Sequence, residues 1–362
     1  MKQRFLVTSL SLLALSNAAL ASYLLDTLVV TGTRTERMSS DAPLATYTID
    51  RATLDALNTH RADDLLRRLP GIQITKLHGK TGYRVQMQGL EGRHVLILLD
   101  GQPLPSLSDG TVDVSRIPLD TIERIEVVPG ASSALYGSQA MGGVIQLFSR
   151  KGRDTDAEIS LEGVSYGPDS TDTRFPDRRH VSAQGSIPIG EVLTRVHAHH
   201  TEDEGLAVRD QTFSTTGEQG RRTGGGISLS REISGWQLGL NTDVYRQVSG
   251  YRYGITSPGS TGVATRPWQK QDKLDQVRTQ ATLRGGDVAE HEIRLLREDS
   301  RETTLQDQLE TPGIERERHA EHRMWNLDAL SRGFAGDDHQ WVLGFAVNRE
   351  TLSQSKSEGG RH

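Results

Sequence analysis

The stretch WQLGLNTDVYRQV, residues 236–248, decides the fold class because its apolar side chains recur at every second position. The apolar row consists of Trp236, Leu238, Leu240, Thr242, Val244 and Val248, interrupted by Arg246. The intervening positions are Gln237, Gly239, Asn241, Asp243, Tyr245 and Gln247. Successive side chains of a β-strand point to opposite sides, so this period of two predicts a strand with one apolar face.

The same alternation recurs through the second half of the chain. We predict nine strands there, at about residues 157–166, 179–188, 191–202, 223–234, 236–248, 274–284, 288–301, 318–332 and 339–350. Short connections such as Ile189–Gly190 alternate with long polar ones such as Asp203–Arg222 and Ser249–Lys273. Strand length and this order are typical of a transmembrane β-barrel. Trp236 and Trp341 follow short turns, where interfacial aromatic residues are expected.

The composition narrows the function classes. The chain has 362 residues, a formal net charge of −5, 35% apolar and 25% charged residues, and no cysteine. Cysteine nucleophiles, cysteine metal sites and disulfides are therefore excluded. A helical membrane bundle is excluded as well, since it needs several runs of ~20 apolar residues. The negative balance gives no electrostatic case for binding nucleic acid.

Residues 1–21 have the features of a secretory signal peptide. Lys2 and Arg4 precede a mostly apolar stretch from Phe5 to Leu15, and Ala19-Leu20-Ala21 is an A-x-A cleavage pattern. The stretch is too short for a transmembrane anchor. We therefore expect export, cleavage of the signal peptide, and a location in the bacterial outer membrane.

Residues 40–152 predict a compact α+β domain. Short helices are expected at Arg51–Asn58 and at His60–Leu69, where Pro70-Gly71 ends the second one. Strands are expected at residues 72–75, 83–88, 94–99, 121–128 and 144–148. Asp100-Gly101 follows the third of these strands and is a turn signal.

Four motifs in the first half of the chain resemble a known family. Residues 26–31, DTLVVT, resemble a TonB box and lie just after the expected cleavage site. The other motifs are GLEGRHVLILLDG at 89–101, IP at 117–118 with IERIEVVPG at 122–130, and ALYGS at 134–138 with GGVI at 142–145. In this order they resemble the plug domain of TonB-dependent outer-membrane receptors.

The resemblance implies a domain order and a fold class. It places a signal peptide at 1–21, the TonB box and a linker at 22–39, the plug domain at 40–152, and the N-terminal part of a transmembrane β-barrel at 153–362. The expected fold is an α+β plug followed by antiparallel strands of an incomplete 22-stranded barrel. Plugged outer-membrane transporters have 22 strands, which at the spacing seen here would need roughly 640 residues. We therefore expect this sequence to be the N-terminal part of a longer protein.

The resemblance also implies partners. The box of the family pairs with TonB, which acts with its inner-membrane energising complex, and an exposed apolar strand is suited to such β-augmentation. The expected TonB-binding residues are Asp26, Thr27, Leu28, Val29, Val30 and Thr31. The alternative is that this segment is simply the first strand of the plug. Other expected partners are an iron-chelate ligand and outer-membrane lipid, with colicin or phage as candidates for the long loops.

The family carries out energised uptake of scarce nutrients, and no enzyme activity or cofactor is expected. A ferric siderophore is favoured because residues 85–90 and 122–128 resemble the colicin I and ferric enterobactin receptors of the family. Cobalamin is an alternative, because the box and residues 66–71 are similar to the cobalamin receptor, and haem is another. A passive porin would need neither plug nor box, and no motif of an exported enzyme is present.

The outward loops of the plug are the expected ligand site. Their candidate residues are Lys76, His78, Lys80, Tyr83, Arg84, Arg93 and His94. Cations there would attract an anionic ferric complex, although single loop cations are commonly just solvated. Tyr83 could stack on an aromatic ligand or pack within the plug. His197 and His199 share a strand face but would need further ligands to hold a metal, so no metal site is predicted.

Two positions depart from the pattern of the family. Its plug commonly has arginine before the glycines equivalent to Gly89 and Gly130, whereas this chain has Gln88 and Pro129. Such arginines can pair with barrel glutamates and hold the plug. Arg124, with Glu123 and Glu126 beside it, is the cation left in this region.

Overall fold

A computed structural model describes residues 28–29, 37–38, 46–57, 59–77, 80–107, 109–152, 155–167, 176–205, 219–259, 262–335 and 339–359. The expected signal peptide, His78 and most of the expected TonB box lie outside these residues. Within them, no helix has the length and hydrophobicity needed to cross a membrane.

The N-terminal region forms three small sheets. Strands β1 (Leu28–Val29) and β2 (Arg37–Met38) pair antiparallel. A five-stranded mixed sheet has the order β3-β8-β9-β6-β7. Its strands are β3 (Tyr47–Asp50), β6 (Val95–Leu99), β7 (Gln102–Pro103), β8 (Ile122–Pro129) and β9 (Gly143–Ser149). Strands β6 and β9 are parallel, and a separate hairpin joins β4 (Ile72–Lys76) to β5 (Tyr83–Met87).

Short helices lie on both sides of this sheet. Helices α1 (Arg51–Leu57) and α2 (Ala62–Leu66) pack on one side, and α3 (Ser133–Tyr136) lies on the other, where Tyr136 packs against the cluster of Leu96 and Leu98. Leu54 and Leu65 are fully buried and pack in one core with sheet residues such as Ile125. The expected helices and strands are all present. The helix expected at His60–Leu69 is shorter because the chain turns from residue 67 onwards, before Pro70.

The second region is one antiparallel sheet in which each strand pairs with its neighbour in sequence. Its nine strands are β10 (Asp156–Val164), β11 (Arg178–Ile189), β12 (Val192–Asp203), β13 (Gln219–Ile233), β14 (Trp236–Gly259), β15 (Gly262–Gly285), β16 (Ala289–Gln308), β17 (Arg316–Ala335) and β18 (His339–Glu358). The nine strands expected from the alternation are thus present. Among the described strands β10 and β18 are the sheet edges, so closure and a total of 22 strands stay predictions.

The two faces of this sheet differ as the alternation predicts. The face turned away from the plug carries exposed apolar side chains, such as Leu238, Leu240 and Val244. The face turned toward the plug carries buried polar ones, such as Asp272 and Glu298. Apolar outside and polar inside is the arrangement of a membrane-spanning barrel.

One predicted connection is wrong. Ser249–Lys273 was expected to be a long polar loop, but β14 and β15 continue through it as a paired hairpin up to Gly259 and Gly262. Each of these strands has 24 residues. Backbone pairing does not require an apolar face, so the ladder continues beyond the apolar band where side-chain hydropathy no longer alternates.

The rim with the short turns carries two tryptophan–glycine contacts. A Cβ on Gly285 would lie 2.8 Å from the Trp236 ring, and a Cβ on Gly333 would lie 2.8 Å from the Trp341 ring. Each tryptophan therefore lies flat against the backbone of the neighbouring strand, and a side chain at either glycine would displace it. We call this edge of the sheet the short-turn rim, and the opposite edge the long-connection rim.

Candidate functional site

A buried ion cluster joins the plug to the barrel wall. The Lys80 Nζ lies 2.9 Å from Glu302 in β16, and an Arg116 guanidinium nitrogen lies 3.2 Å from the same carboxylate. The Lys80 and Glu302 side chains are 8% and 9% exposed. A buried charge is stable only when paired, so this carboxylate and its two cations hold the plug and the wall together.

Asp113 organises the plug side of this cluster. Its carboxylate accepts hydrogen bonds from the backbone N–H of Tyr83 at 3.0 Å and from Arg116 Nε at 2.9 Å. Gly82 lies so close that a Cβ there would be 2.2 Å from the carboxylate, and its φ is +104°. Glycine is therefore required at this position on two grounds.

Asp272 in β15 makes a second contact between wall and plug. Its carboxylate accepts a hydrogen bond from the backbone N–H of Thr81 at 2.5 Å and another from the Thr304 hydroxyl. The Thr81 hydroxyl is 2.8 Å from that of Ser249 in β14. The plug loop before β5 is therefore bound to three adjacent strands.

A third group of contacts joins the plug to the first strands of the wall. Asp120 Oδ1 lies 3.1 Å from His60 Nδ1 and 3.0 Å from His180 Nε2 in β11. The other nitrogen of His60 lies 2.7 Å from Glu162 in β10, and that of His180 lies 2.8 Å from the Thr201 hydroxyl. Every ring nitrogen of this pair therefore has an oxygen partner.

These residues place three possible metal-ligating groups together, but their geometry favours hydrogen bonding. The His60 and His180 rings stack with centroids 3.8 Å apart and planes 25° apart. Nearly parallel imidazoles direct their in-plane lone pairs side by side, whereas two ligands of one ion must converge on it. Between two carboxylates His60 must donate from both nitrogens, which requires its protonated form.

The protonation states of the plug residues follow from these contacts. Burial tends to lower the pKa of His60, but its hydrogen bonds to Asp120 and Glu162 outweigh burial and raise that pKa. Burial tends to raise the pKa of Asp120, but hydrogen bonds from His180 and His60 outweigh it and lower that pKa strongly. The cluster is thus an imidazolium held between two carboxylates.

The predicted ligand residues lie in different surroundings. Lys80 belongs to the buried ion cluster, and Lys76 lies at the end of β4 with its Nζ 5.6 Å from the Tyr251 ring centroid. Tyr83 is half-buried beneath the Arg67 guanidinium, at 4.5 Å. Arg84 donates a hydrogen bond to Thr75. Ligand contact by these residues stays a prediction.

The remaining predicted cations lie in or next to a 3₁₀ turn before β6. Arg93 is exposed and pairs with Glu91 at 3.4 Å. His94 is half-buried, and its carbonyl accepts a hydrogen bond from the Gly142 N–H at 2.8 Å. Arg93 is therefore open to solvent, while the backbone of His94 is tied to the loop before β9.

An aromatic patch that the sequence reasoning missed lies near the long-connection rim. Tyr251 and Tyr253 in β14 have ring centroids 5.6 Å apart, and Trp268 in β15 lies 6.5 Å from Tyr253. They lie on the face of the sheet turned toward the plug, opposite Lys76. We call Tyr251, Tyr253 and Trp268 the aromatic wall. The alternation of apolar and polar residues does not show whether aromatic residues near a strand end face the plug or belong to a ring at the membrane interface.

The predicted TonB box is described at two positions. Leu28 pairs with Met38 and Val29 pairs with Arg37 in a short antiparallel ladder. Asp26, Thr27, Val30 and Thr31 lie outside the described residues. The segment therefore adopts the extended conformation that β-augmentation requires, and TonB binding stays a prediction.

The two departures from the family pattern are compensated elsewhere. Gln88 occupies a turn with φ of +53°, and Pro129 ends β8. Arg124 pairs with Glu126 at 3.1 Å and lies 3.8 Å above the Phe148 ring, entirely within the plug. Lys80 and Arg116, which the sequence pattern did not single out for that role, bind Glu302 of the wall, and Arg150 binds Glu158 in β10.

Comparison with known proteins agrees with this arrangement. The family described as TonB-dependent Receptor Plug Domain matches residues 39–144. A curated relative, the vitamin B12 transporter BtuB of Photobacterium profundum, is 34% identical over 143 residues, which is 39% of this chain. Residues 39–144 therefore match the plug domain of TonB-dependent receptors, and the chain is similar to that family.

Solved receptor structures share the fold. The ferripyoverdine receptor FpvA of P. aeruginosa, bound to a heterologous pyoverdine, has a TM-score of 0.56 and 14% identity over 92% of this chain and 55% of its own. The alcaligin receptor FauA from Bordetella pertussis has a TM-score of 0.56 and 14% identity, with 92% and 60% covered. FpvAI in complex with pyocin S2 also has a TM-score of 0.56.

This chain spans only part of the length of the relatives that it matches. The matched region spans 24% of the curated transporter and just over half of the structural relatives. The plug is matched by sequence and by fold, whereas the barrel strands are matched by fold.

Proposed function

We propose that this protein is a TonB-dependent receptor that takes up a ferric siderophore across the outer membrane, with energy supplied through TonB. The observation that carries the ligand class is the aromatic wall facing Lys76. Ferric catecholate complexes combine negative charge with aromatic rings, and a lysine beside aromatic side chains can bind both features. No cofactor of its own is required for this activity.

The plug–wall contacts support the transport part of the proposal. Among the described residues the plug contacts the wall through polar and ionic groups, and neither apolar cluster of the plug contains a wall residue. Such contacts keep the barrel closed at rest, yet a limited displacement could release them. We propose that TonB pairs with residues 26–31 and pulls the plug partly away from β15 and β16 after ligand has bound.

Cobalamin uptake is the second candidate, favoured by the 34% identity to a protein named as a vitamin B12 transporter. That identity extends over 143 residues, which is 39% of this chain. Haem is a weaker alternative within the same family. Binding of a bacteriocin at the long-connection rim is suggested by the pyocin complex of a structural relative.

The test is uptake in cells that produce the protein as their one receptor of this kind. Accumulation of ⁵⁵Fe from a panel of siderophores and from haem is compared with accumulation of radiolabelled cyanocobalamin. Uptake of iron that depends on TonB supports the proposal, and uptake of cyanocobalamin alone contradicts it. Recovery of the protein in the outer-membrane fraction, beginning after Ala21, would test the localisation and the signal peptide.

A further inference from the structure

A cavity of about 460 Å³ lies between the plug and the wall near the short-turn rim. The plug contributes Phe148 and the segment Ser149–Gly152, and the wall contributes residues such as Leu193 and Ser230, which lie close to the short turns. Its volume falls in the range of small-molecule sites. The aromatic wall lies toward the other end of the sheet, so this cavity is a separate site.

The lining of this cavity is rich in cationic side chains. Seven of its residues are arginine or lysine, whereas three are acidic, namely Asp100, Glu123 and Glu292. Some of the arginines are neutralised, as Arg294 is by Glu292 at 2.7 Å. Arg284 and Arg332 pair with Glu290, which lies outside the lining. Arg124 pairs with Glu126, and Arg150 pairs with Glu123 and Glu158. Most of the positive charge of the lining is therefore balanced by carboxylates in or beside it.

Arg195 in β12 differs from the other arginines of the lining, because no ion pair with a described carboxylate balances it. Its side chain is 5% exposed and donates a hydrogen bond to the Gln184 side-chain oxygen. Among the residues that the structure describes, no carboxylate lies within ion-pair distance of it. Burying a guanidinium is unfavourable without a counter-charge, so a bound anion would complete this site.

We propose that this cavity is an inner anion site, which holds the anionic ferric chelate between its departure from the aromatic wall and its release at the short-turn rim. The proposal rests on the proposed function, because the transported ligand is its occupant. Carboxylate and catecholate oxygens match the donor geometry of Arg195 and its cationic neighbours. The uncompensated positive charge of Arg195 would raise the local concentration of such an anion.

The electrostatic part can be tested without knowing the ligand, because the chain has no cysteine. A Ser230→Cys variant places one thiol in the cavity, and a Val288→Cys variant places one on a turn residue that is 95% exposed. Each purified protein reacts with sulfonatoethyl and with trimethylammonioethyl methanethiosulfonate, which are similar in size and opposite in charge. We expect the anionic-to-cationic rate ratio to be roughly tenfold higher at Ser230→Cys than at Val288→Cys.

Two further measurements identify the source of that preference. Citrate, used as the probe anion, should slow labelling of Ser230→Cys and leave Val288→Cys unchanged. In the Ser230→Cys background, Arg195→Gln should lower the rate ratio severalfold, while Arg195→Lys retains it. Arg231→Gln is the matched control, since it removes an exposed arginine of the neighbouring strand that pairs with Glu191.

Equal rate ratios at the two thiols would overturn the inner anion site, as would a ratio that Arg195→Gln leaves unchanged. The comparison of the two thiols and the citrate protection do not need the arginine variant, so a folding defect in it would not block the test. If the ratio is raised but no ferric chelate is taken up, the proposed function fails and the anion site stands. If uptake occurs with equal ratios, the inner site alone fails.

Discussion

The Lys80 ammonium and the Glu302 carboxylate lie 2.9 Å apart, and they join a plug loop to β16 of the wall at a point from which water is largely excluded. Arg116 binds the same carboxylate, so one glutamate of the wall contacts two cations of the plug, and Asp113 gives Arg116 a second carboxylate. The arginines that commonly precede glycine in the family are absent here, since Gln88 and Pro129 stand at those positions. Lys80 and Arg116 supply charged contacts to the wall.

Glu302→Gln should weaken docking of the plug by about 3–5 kcal/mol, because it leaves two buried cations without their shared carboxylate. Weaker docking should be seen as faster hydrogen exchange at the backbone amides of residues 80–83, which lie in the docked plug loop. The matched control is Glu321→Gln, which removes an exposed glutamate of β17 that pairs with Arg301 and Arg323. An exposed pair contributes about 0–1 kcal/mol, so equal effects of the two variants would refute the lock.

Plug docking should depend on pH through His60. Its pKa is raised above the ordinary value near 6.5, so its ionic contacts with Asp120 and Glu162 are fully formed below that pH. They are lost as the pH rises through the raised pKa, and docking should therefore weaken on the alkaline side. The other groups facing this ring are His180, and Arg178 acting through Glu162 at 3.1 Å.

The measurement for His60 is hydrogen exchange around residues 59–62 between pH 6 and pH 9, corrected for the intrinsic rate. His60→Gln keeps hydrogen-bonding capacity but cannot titrate, so its profile should be flat. If the exchange rate rises with pH by the same amount in wild type and in the variant, the pH dependence belongs to a group other than His60. Zinc added in slight excess should not protect the segment, in keeping with the stacked rings.

Val29→Pro should abolish energised uptake while leaving ligand binding at the cell surface unchanged. Proline removes the backbone N–H that a β-augmented partner would use, and Val29 lies in an extended segment paired with Arg37. Val29→Ala is the control, because it shortens the side chain and keeps the N–H. Uptake and surface binding are measured in the same cells, and full uptake by the proline variant would rule out residues 26–31 as the coupling segment.

Trp268→Ala should raise the Kd for the ferric siderophore roughly 3- to 10-fold, since one aromatic contact contributes about 0.5–1.5 kcal/mol. Fluorescence quenching or equilibrium binding to purified protein measures this change. Trp325→Ala removes an exposed tryptophan from the opposite face of β17 and should leave the Kd unchanged. An unaltered Kd in Trp268→Ala would remove the aromatic wall from the ligand site.

The sequence was sufficient to predict the strands because each has one apolar face. Residues 236–248 alternate clearly, and β14 begins at Trp236. The hairpin beyond Ser249 was not predicted, since the row of apolar side chains on the outward face ends there, at residues such as Arg252 and Gln269. The turn at Asp100-Gly101 was predictable because this residue pair favours turns with positive φ at both positions. The observed φ angles are +50° and +77°.

The plug–wall contacts could not be predicted from the sequence. Glu302, Asp272 and Glu298 all occupy plug-facing positions, where a charged side chain is expected whether it is solvated or paired. Nothing near His60 in the sequence indicates that Asp120 and His180 lie beside it. Such pairs depend on how the plug is oriented inside the sheet, which local patterning does not specify.

The nine-stranded sheet joins only sequence neighbours, whereas the plug contacts link residues separated by 191 positions at Thr81 and Asp272 and by 224 at Gln102 and Asn326. Closing such long loops is slow compared with forming adjacent hairpins. The plug precedes β15 to β17 in the sequence and is therefore synthesised before them, yet its contacts with these strands can form only once the strands are present. Docking of the plug is therefore expected to be a late step of folding.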